Sequence, residues 1–342
     1  MNQDGKKKYI NVFFWYTERR NNMNKKHVHI FMASDDNYVP YLMITAKSIS
    51  LHSSDEYIYD ITVLSGGLAP QNIRKLRHLE LDNVNISIVN MEKSVKPLRK
   101  ELRATLRDYY SEAIFYRMFI ASMYPRLTRA VYIDCDTVLV DDIAKLYFTD
   151  IGDSILGAVA DESIPGVPEF CDYVKNWVGV PVSKYINSGV LLINLKEYRK
   201  SFILEKFISL VEERNFSTVA PDQDYLNYLC KGRIHYLDGG WNKQPKADNL
   251  LPVGEQHVIH YNLYNKPWHY SDVPYSDVFW EVAKMTPYYT DIVRELVEYT
   301  DEQKEKDVAG GVMLISRAAE LSTRTDGFKH YRNKGALCVT AG

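Results

Sequence analysis

From His27 onward the chain alternates two kinds of apolar pattern. Short runs rich in Val, Ile and aromatic residues, at His27–Ala33 (HVHIFMA), Tyr57–Leu64 (YIYDITVL) and Val84–Val89 (VNISIV), have the length and composition of strands. Between the first two, residues 39–51 place Tyr41, Leu42, Ile44, Thr45, Ser48, Ile49 and Leu51 at helical spacing. Pro70 opens a second helix carrying Ile73, Leu76 and Leu79. Strands alternating with helices predict βαβ units. The fold class is therefore α/β, with a parallel sheet and ligands at its carboxyl ends.

The pattern continues less regularly. Residues 97–111 are polar and irregular, whereas Glu112–Tyr124 (EAIFYRMFIASMY) predicts a helix under the sheet, containing Arg117 and ended by Pro125. The next strand, from Arg129 to Val140 (RAVYIDCDTVLV), runs into Asp134-Cys135-Asp136. Ile155–Ala160 predicts another strand, and Asp161–Pro181 a loop-rich connection around Trp177 suited to specificity. Tyr185–Leu195 (YINSGVLLINL) is a strong strand, Glu197–Arg214 a helix, and Asp222-Gln223-Asp224 opens a short helix. Ile234–Leu237 and His257–Tyr261 are short strands, and helices are expected around 277–285 and 288–300. Asp301–Lys306 reads as a solvated charge run and 307–342 as a weakly patterned, mobile tail. These patterns divide the chain into a loose N-terminal extension (1–26), a main domain (27–275) and a helical C-terminal extension with its tail (276–342). Met23 is an alternative start, and Lys6–Tyr16 imitates a signal peptide without a small-residue cleavage site.

Composition narrows the functional classes. A formal net charge of -2 over 342 residues argues against a general nucleic-acid binder. The 4 cysteines are widely spaced and form no CxxC pair, which points away from a disulfide framework or a cysteine zinc site and toward a reducing cytoplasm. No stretch approaches the roughly 18 apolar residues of a membrane-spanning helix.

The candidate chemistry gathers around Asp134 and Asp136. Strand alternation sends both carboxylates to one side and Cys135 to the other. Paired carboxylates at a sheet edge suit a hard divalent cation able to grip a diphosphate, although an acidic turn after a strand has the same composition. His260, in HVIHYN, is either a core histidine or a third ligand of a manganese-like ion, and Lys266 would add charge beside a phosphate. Arg117 is either a helix-surface ion-pair partner or a group reaching the ligand end of the sheet. Asn187-Ser188-Gly189 is an ordinary bulge or a place where an amide meets a polar ligand. Asp222 and Asp224 equally suit helix capping.

Taken in order, ASDDNY (33–38), Arg117, YIDCDTVL (132–139), INSGVLLINL (186–195), PDQDYLN (221–227) and HYNLYNKPWH (260–269) resemble the family 8 retaining glycosyltransferases. That group includes bacterial lipopolysaccharide galactosyl- and glucosyltransferases and glycogenin, and the resemblance spans about residues 27–270. It implies a GT-A fold, a Rossmann-like nucleotide-binding half merged with a mixed-sheet acceptor half. It also implies roles. Ala33, Asp35 and Asn37 match uridine and ribose contacts, and Arg117 matches a basic residue near the donor. Asp134, Asp136 and His260 match metal ligands, with Cys135 inside the same donor-side motif. Asn187, Asp222 and Gln223 match positions around the donor sugar, and Lys266 matches a lysine on the diphosphate. Leu263 departs from the pattern, standing where relatives often have glycine.

The implied reaction moves glucose or galactose from UDP-glucose or UDP-galactose, with Mn2+ or Mg2+, to a glycan or lipid-linked glycan such as lipopolysaccharide. The expected location is cytoplasmic, with the basic and aromatic C-terminal segments allowing peripheral contact with the inner face of the membrane. Gln223 is a poor nucleophile, which favours attack on the face the leaving group vacates, while Asp222 and Asp224 keep double displacement open. Two alternatives stand beside this reading. The D-x-D-x-T strand end also resembles haloacid dehalogenase phosphatases, with Asp134 as phosphoryl acceptor and Asp136 as acid/base, and a non-catalytic UDP-sugar-binding protein would share the fold.

Overall fold

The computed structural model describes residues 25–79, 83–105, 111–252 and 254–331. Residues 1–24, including the alternative start at Met23 and nearly all of the expected N-terminal extension, lie outside the described residues, as do residues 332–342. The sheet grows from the βαβ pattern. Strands β1 (Lys26–Ala33), β2 (Tyr57–Ser65) and β3 (Val84–Asn90) are parallel, joined by helices α1 (Val39–Leu51) and α2 (Pro70–Arg77). After β3 comes helix α3 (Arg99–Thr105), inside the stretch that reads as irregular, and then a 3-10 helix, Glu112–Phe119.

Strand β4 (Arg129–Ile133) joins β1 in parallel, but it ends before the acidic pair. Asp134-Cys135-Asp136 is a turn, and β5 (Thr137–Leu139) leaves for a separate two-stranded sheet. The second half of the chain adds β6 (Leu156–Ala160), β7 (Ile186–Asn194) and β8 (Ile234–Tyr236), giving the order β3-β2-β1-β4-β7-β6-β8. Strand β7 runs antiparallel to both β4 and β6, so a parallel half meets a mixed half at the β4–β7 seam. Strand β9 (Val258–His260) pairs antiparallel with β5.

Alternation along the strands builds a core on each face of the sheet. Phe31 and Tyr132 point to one, and Ile30, Met32, Val131 and Ile133 to the other. Trp177 belongs to the first core, not to a specificity loop. It follows helix α4 (Pro168–Tyr173), is buried, and donates from Nε1 to the Ser217 carbonyl at 2.9 Å. The helix expected over 197–214 is two, α5 (Leu195–Lys200) and α6 (Ile203–Glu213), broken where Phe202 takes a left-handed φ of 53°. Helix α7 (Pro221–Leu229) starts with Asp222, Gln223 and Asp224 in its first turn.

The C-terminal part also departs from expectation. Beyond α8 (Ser276–Ala283) and α9 (Tyr289–Glu298), the charge run opens a 22-residue helix, α10 (Asp301–Ser322). Thr300 caps it, accepting from Gln303 N while the Gln303 side chain accepts from Thr300 N. Much of the expected mobile tail is therefore ordered helix, and Ala318, Leu321 and Phe328 are buried in the first core. None of the helices in the described residues is long and apolar enough to cross a membrane.

Candidate active site

At the carboxyl ends of the parallel strands lies a cavity of about 650 Å³. The backbone explains which side chains converge on it. The β4–β7 register puts Gly189 beside the acidic turn, with Asp134 N donating to Gly189 O at 2.8 Å. The β5–β9 register sets His260 opposite Thr137, so the histidine arrives over the same turn. Asp134, Asp136 and His260 then each offer one ligand atom, all within 4.8 Å of one another. Cys135 turns away, its thiol donating to Ala33 O at 3.0 Å, and burial pushes that thiol well above its usual range. The motif is a turn, not the strand the sequence pattern predicts.

A chain of hydrogen bonds fixes the imidazole. Asn187 Oδ1 accepts from Gly189 N and from Asn242 Nδ2, both at 2.9 Å. Asn242 therefore presents its amide oxygen to His260 Nδ1, 2.8 Å away. An amide oxygen only accepts, so Nδ1 carries the proton and Nε2 offers its lone pair toward Asp136 Oδ1, at 3.2 Å. Gly189 makes room for the arrangement. A Cβ there would stand 2.2 Å from His260 Cε1 and 2.8 Å from Asp134 Oδ2.

The charges are balanced in two groups. Asp136 Oδ2 accepts from Lys266 Nζ at 2.5 Å, and Lys266 also donates to Tyr261 O at 2.5 Å. Burial opposes ionisation of Asp136, but the Lys266 ammonium outweighs it and holds the carboxyl well below the usual range. On the other side, buried Arg117 donates to Asp134 Oδ1 at 2.8 Å and to Ser188 O at 2.5 Å, with Nε 3.1 Å from Asp222 Oδ2. Burial works against its charge as well, yet Asp134 and Asp222 keep it protonated beyond its ordinary range. The guanidinium also lies over the Tyr132 ring at 4.1 Å. Of the two sequence readings of Arg117, the ligand-end position is the one observed.

Gln223 and Asn187 share a partner that sequence reasoning passed over, Asp161. Gln223 Oε1 accepts from Ser188 N at 2.9 Å, and Gln223 Nε2 donates to Asp161 Oδ2 at 2.9 Å. Asn187 Nδ2 reaches the same oxygen at 3.2 Å, and Gln244 and Ser163 donate to Oδ1. Burial alone would raise the Asp161 carboxyl, but these donors hold it below the usual range. Its sequence signal is weak, the first of two acids, Asp161-Glu162, directly after β6. Asp222, bonded by Ser188 Oγ at 2.9 Å, is raised by burial against the opposing charge of Arg117. Asp224 faces the core instead, accepting from Tyr173 and Tyr185 hydroxyls at 2.6 Å each, so it is withdrawn from the candidate nucleophiles.

The remaining positions ring the cavity. Ala33, Asp35 and Asn37 line it at the end of β1, where Asp35 Oδ1 accepts from the backbone of Asn37 and Tyr38. Leu263 lines it too and carries a left-handed φ of 57°. For a side chain other than glycine that conformation costs on the order of 1–2 kcal/mol, which is why a glycine suits the place.

The chain is also similar to known proteins. The sequence profile of glycosyl transferase family 8 matches residues 29–272. General stress protein A of Bacillus subtilis (strain 168) is 26% identical over 77% of this chain and 95% of its own length. The lipopolysaccharide 1,2-glucosyltransferase of Escherichia coli (strain K12) is 24% identical, covering 79% of this chain and 82% of its own. Among solved structures, the galactosyltransferase LgtC in complex with donor and acceptor sugar analogs superimposes with a TM-score of 0.60 at 26% identity, covering 76% of this chain and 96% of that one. The bifunctional glycosyltransferase WbbM reaches a TM-score of 0.68 at 22% identity over 80% of this chain, which spans only 52% of WbbM. The fold is thus the GT-A arrangement expected from the sequence.

Proposed function

The chain belongs to glycosyl transferase family 8, and from that premise we propose that it transfers a hexose, glucose or galactose, from a UDP-sugar to a hydroxyl of a glycan, with retention at the anomeric carbon. The observation that carries the proposal is the convergence of Asp134, Asp136, His260 and Lys266 in one cavity at the carboxyl ends of the sheet. Asp134, Asp136 and His260 would hold a divalent cation such as Mn2+ or Mg2+. Two oxygens and an imidazole nitrogen suit such an ion, and the Gly189 cradle together with the Asn242 bond keeps the nitrogen aimed at them. When bound, the cation supplies positive charge beside the diphosphate.

The protein's own groups account for the rest. Lys266 brings a buried ammonium to the phosphate side, countering charge that develops on departing UDP. Ala33, Asp35 and Asn37 receive the nucleoside at the end of β1. Gln223 and Asn187, both anchored on Asp161, present a rigid polar wall to the sugar. Asp224 is turned into the core and Asp222 Oδ2 is held by Arg117 and Ser188, which supports same-face substitution over double displacement. The bond from C1 to the phosphate oxygen breaks, a bond from C1 to the acceptor oxygen forms, and the acceptor's proton passes to the departing diphosphate.

The phosphatase alternative is not favoured. It would make the acidic strand the first of its core, whereas β1, β2 and β3 precede it here, and it leaves the His260–Lys266 motif without a task. A panel of UDP-sugars with Mn2+ or Mg2+, read by UDP release and by product mass, tests the proposal. Turnover of UDP-glucose or UDP-galactose is expected. If neither binds nor turns over, the donor assignment fails; binding without hydrolysis or transfer would make the protein a UDP-sugar binder.

A further inference from the structure

The loop between Tyr261 and Tyr270, which carries Leu263 and Lys266, is gripped at two points by the C-terminal helices. At its far end, Asp307 Oδ2 of α10 accepts from Tyr270 Oη at 2.9 Å and from Tyr299 Oη at 2.8 Å, while His269 stacks on Tyr299 with ring centroids 3.9 Å apart. Nearer its centre, Tyr264 lies against Gly310. A Cβ at position 310 would stand 2.5 Å from Tyr264 Oη and 2.8 Å from Cζ, distances that real side chains do not tolerate.

Asp307, Gly310 and Leu314 follow one another at i, i+3 and i+7, so one face of α10 presents all of them in line. Leu314 reaches the cavity wall itself. One turn further on, Arg317 Nε donates to Thr218 O at 3.1 Å, on the approach to α7 and Gln223. The helix thereby ties the loop holding Lys266 to the loop that precedes Gln223.

Glycine in a helix interior weakens it relative to alanine, so the Gly310-Gly311 pair in the middle of α10 calls for a reason. The two are not equivalent. A Cβ on Gly311 would meet nothing within 4 Å, whereas one on Gly310 would strike Tyr264. Tyr264 is in turn tied into the loop at its backbone. It follows Leu263, whose backbone is held left-handed, and its carbonyl accepts from Lys266 N at 2.8 Å. A side chain at 310 would displace the ring from its seat against α10.

We propose that Gly310 is a positioning residue for transfer: by lacking a side chain it lets α10 seat Tyr264, which holds Leu263 and Lys266 in place at the diphosphate of the sugar nucleotide. This rests on the donor reading given above. Gly310→Ala and Gly311→Ala make the same change at adjacent helix positions, and both should raise helix propensity rather than unfold the protein. For each, in the native and in a Tyr264→Ala background, two quantities are measured: hydrogen exchange of residues 261–270 in the protein alone, and the affinity for UDP with Mn2+. Gly310→Ala should speed exchange in 261–270 and weaken UDP about fivefold or more, with Gly311→Ala altering neither beyond about twofold. The Gly310→Ala effect should largely vanish once Tyr264 is alanine. Equal effects at the two glycines, unchanged loop exchange in Gly310→Ala, or an effect that persists without the Tyr264 ring would each overturn the proposal. If the unsubstituted protein does not bind UDP, the donor reading falls, and loop exchange alone decides whether Gly310 holds the loop.

Discussion

His260 depends on neighbours that its own segment does not supply. Its Nδ1 is bonded to Asn242, and Asn242 is aligned in turn by Asn187 and Asp161. Replacing Asn242 by alanine leaves the imidazole free to change tautomer and rotate, so Mn2+ affinity should fall by about 10–100-fold with little loss of folding. Titration of the variant with Mn2+ checks this, and native affinity would show that the bond does not orient a ligand. The D-x-D spacing and the lone His260 are legible in the sequence because each fits a cation by residue type. Asn242 and Asp161 are not, since an isolated amide in a polar loop and an acid after a strand fit many roles until the fold brings them together.

Helix α7 shows how one turn serves both core and cavity. Asp222 and Gln223 face the cavity, while Asp224 is turned inward to Tyr173 and Tyr185. Burial pushes the Asp224 carboxyl up to about 7, against the hydroxyl and backbone donors that favour its charge. An aspartate in the unfolded chain titrates near ~3.9. Between those values the folded state binds more protons than the unfolded state. The stability contributed by this group is therefore greatest below about pH 4, declines as pH rises, and levels off above its folded pKa. Asp224→Asn removes the titration. In urea unfolding from pH 4 to pH 8, native stability relative to the variant should fall with rising pH; a flat or rising difference would contradict the assignment.

At this level the β1-α1-β2-α2-β3 succession is read well from sequence, because strand length and helical spacing are local properties. Helix α10 is not, because its inward face includes Asp307 and Gly310 and gives almost no apolar period. Its capping pair, Thr300 with Gln303 three residues on, is a local signal in the chain. Trp177 is likewise not legible in the sequence, because the short α4 and its remote packing partner Gly327 leave no local mark.

The seven-stranded sheet carries a core on each face, and the C-terminal segment completes one of them. Phe328 is fully buried, with ring centroids 4.3 Å from Phe216 and 4.9 Å from Tyr225. Phe328→Ala should therefore cost about 3–5 kcal/mol and shift the urea midpoint down, whereas a dispensable tail would leave it in place. Because α10 also borders the cavity, losing that anchor should weaken UDP binding as well.

That cavity, with its paired carboxylates, oriented histidine and buried lysine, is the proposed seat of a sugar nucleotide held through its metal-bound diphosphate. Equilibrium binding of UDP to the full chain, with Mn2+ and then with EDTA, and again for Asp136→Ala, decides the matter. Saturable binding that requires Mn2+ and is lost in Asp136→Ala is the predicted result. UDP binding that is equally strong in EDTA, or intact in Asp136→Ala, would contradict it.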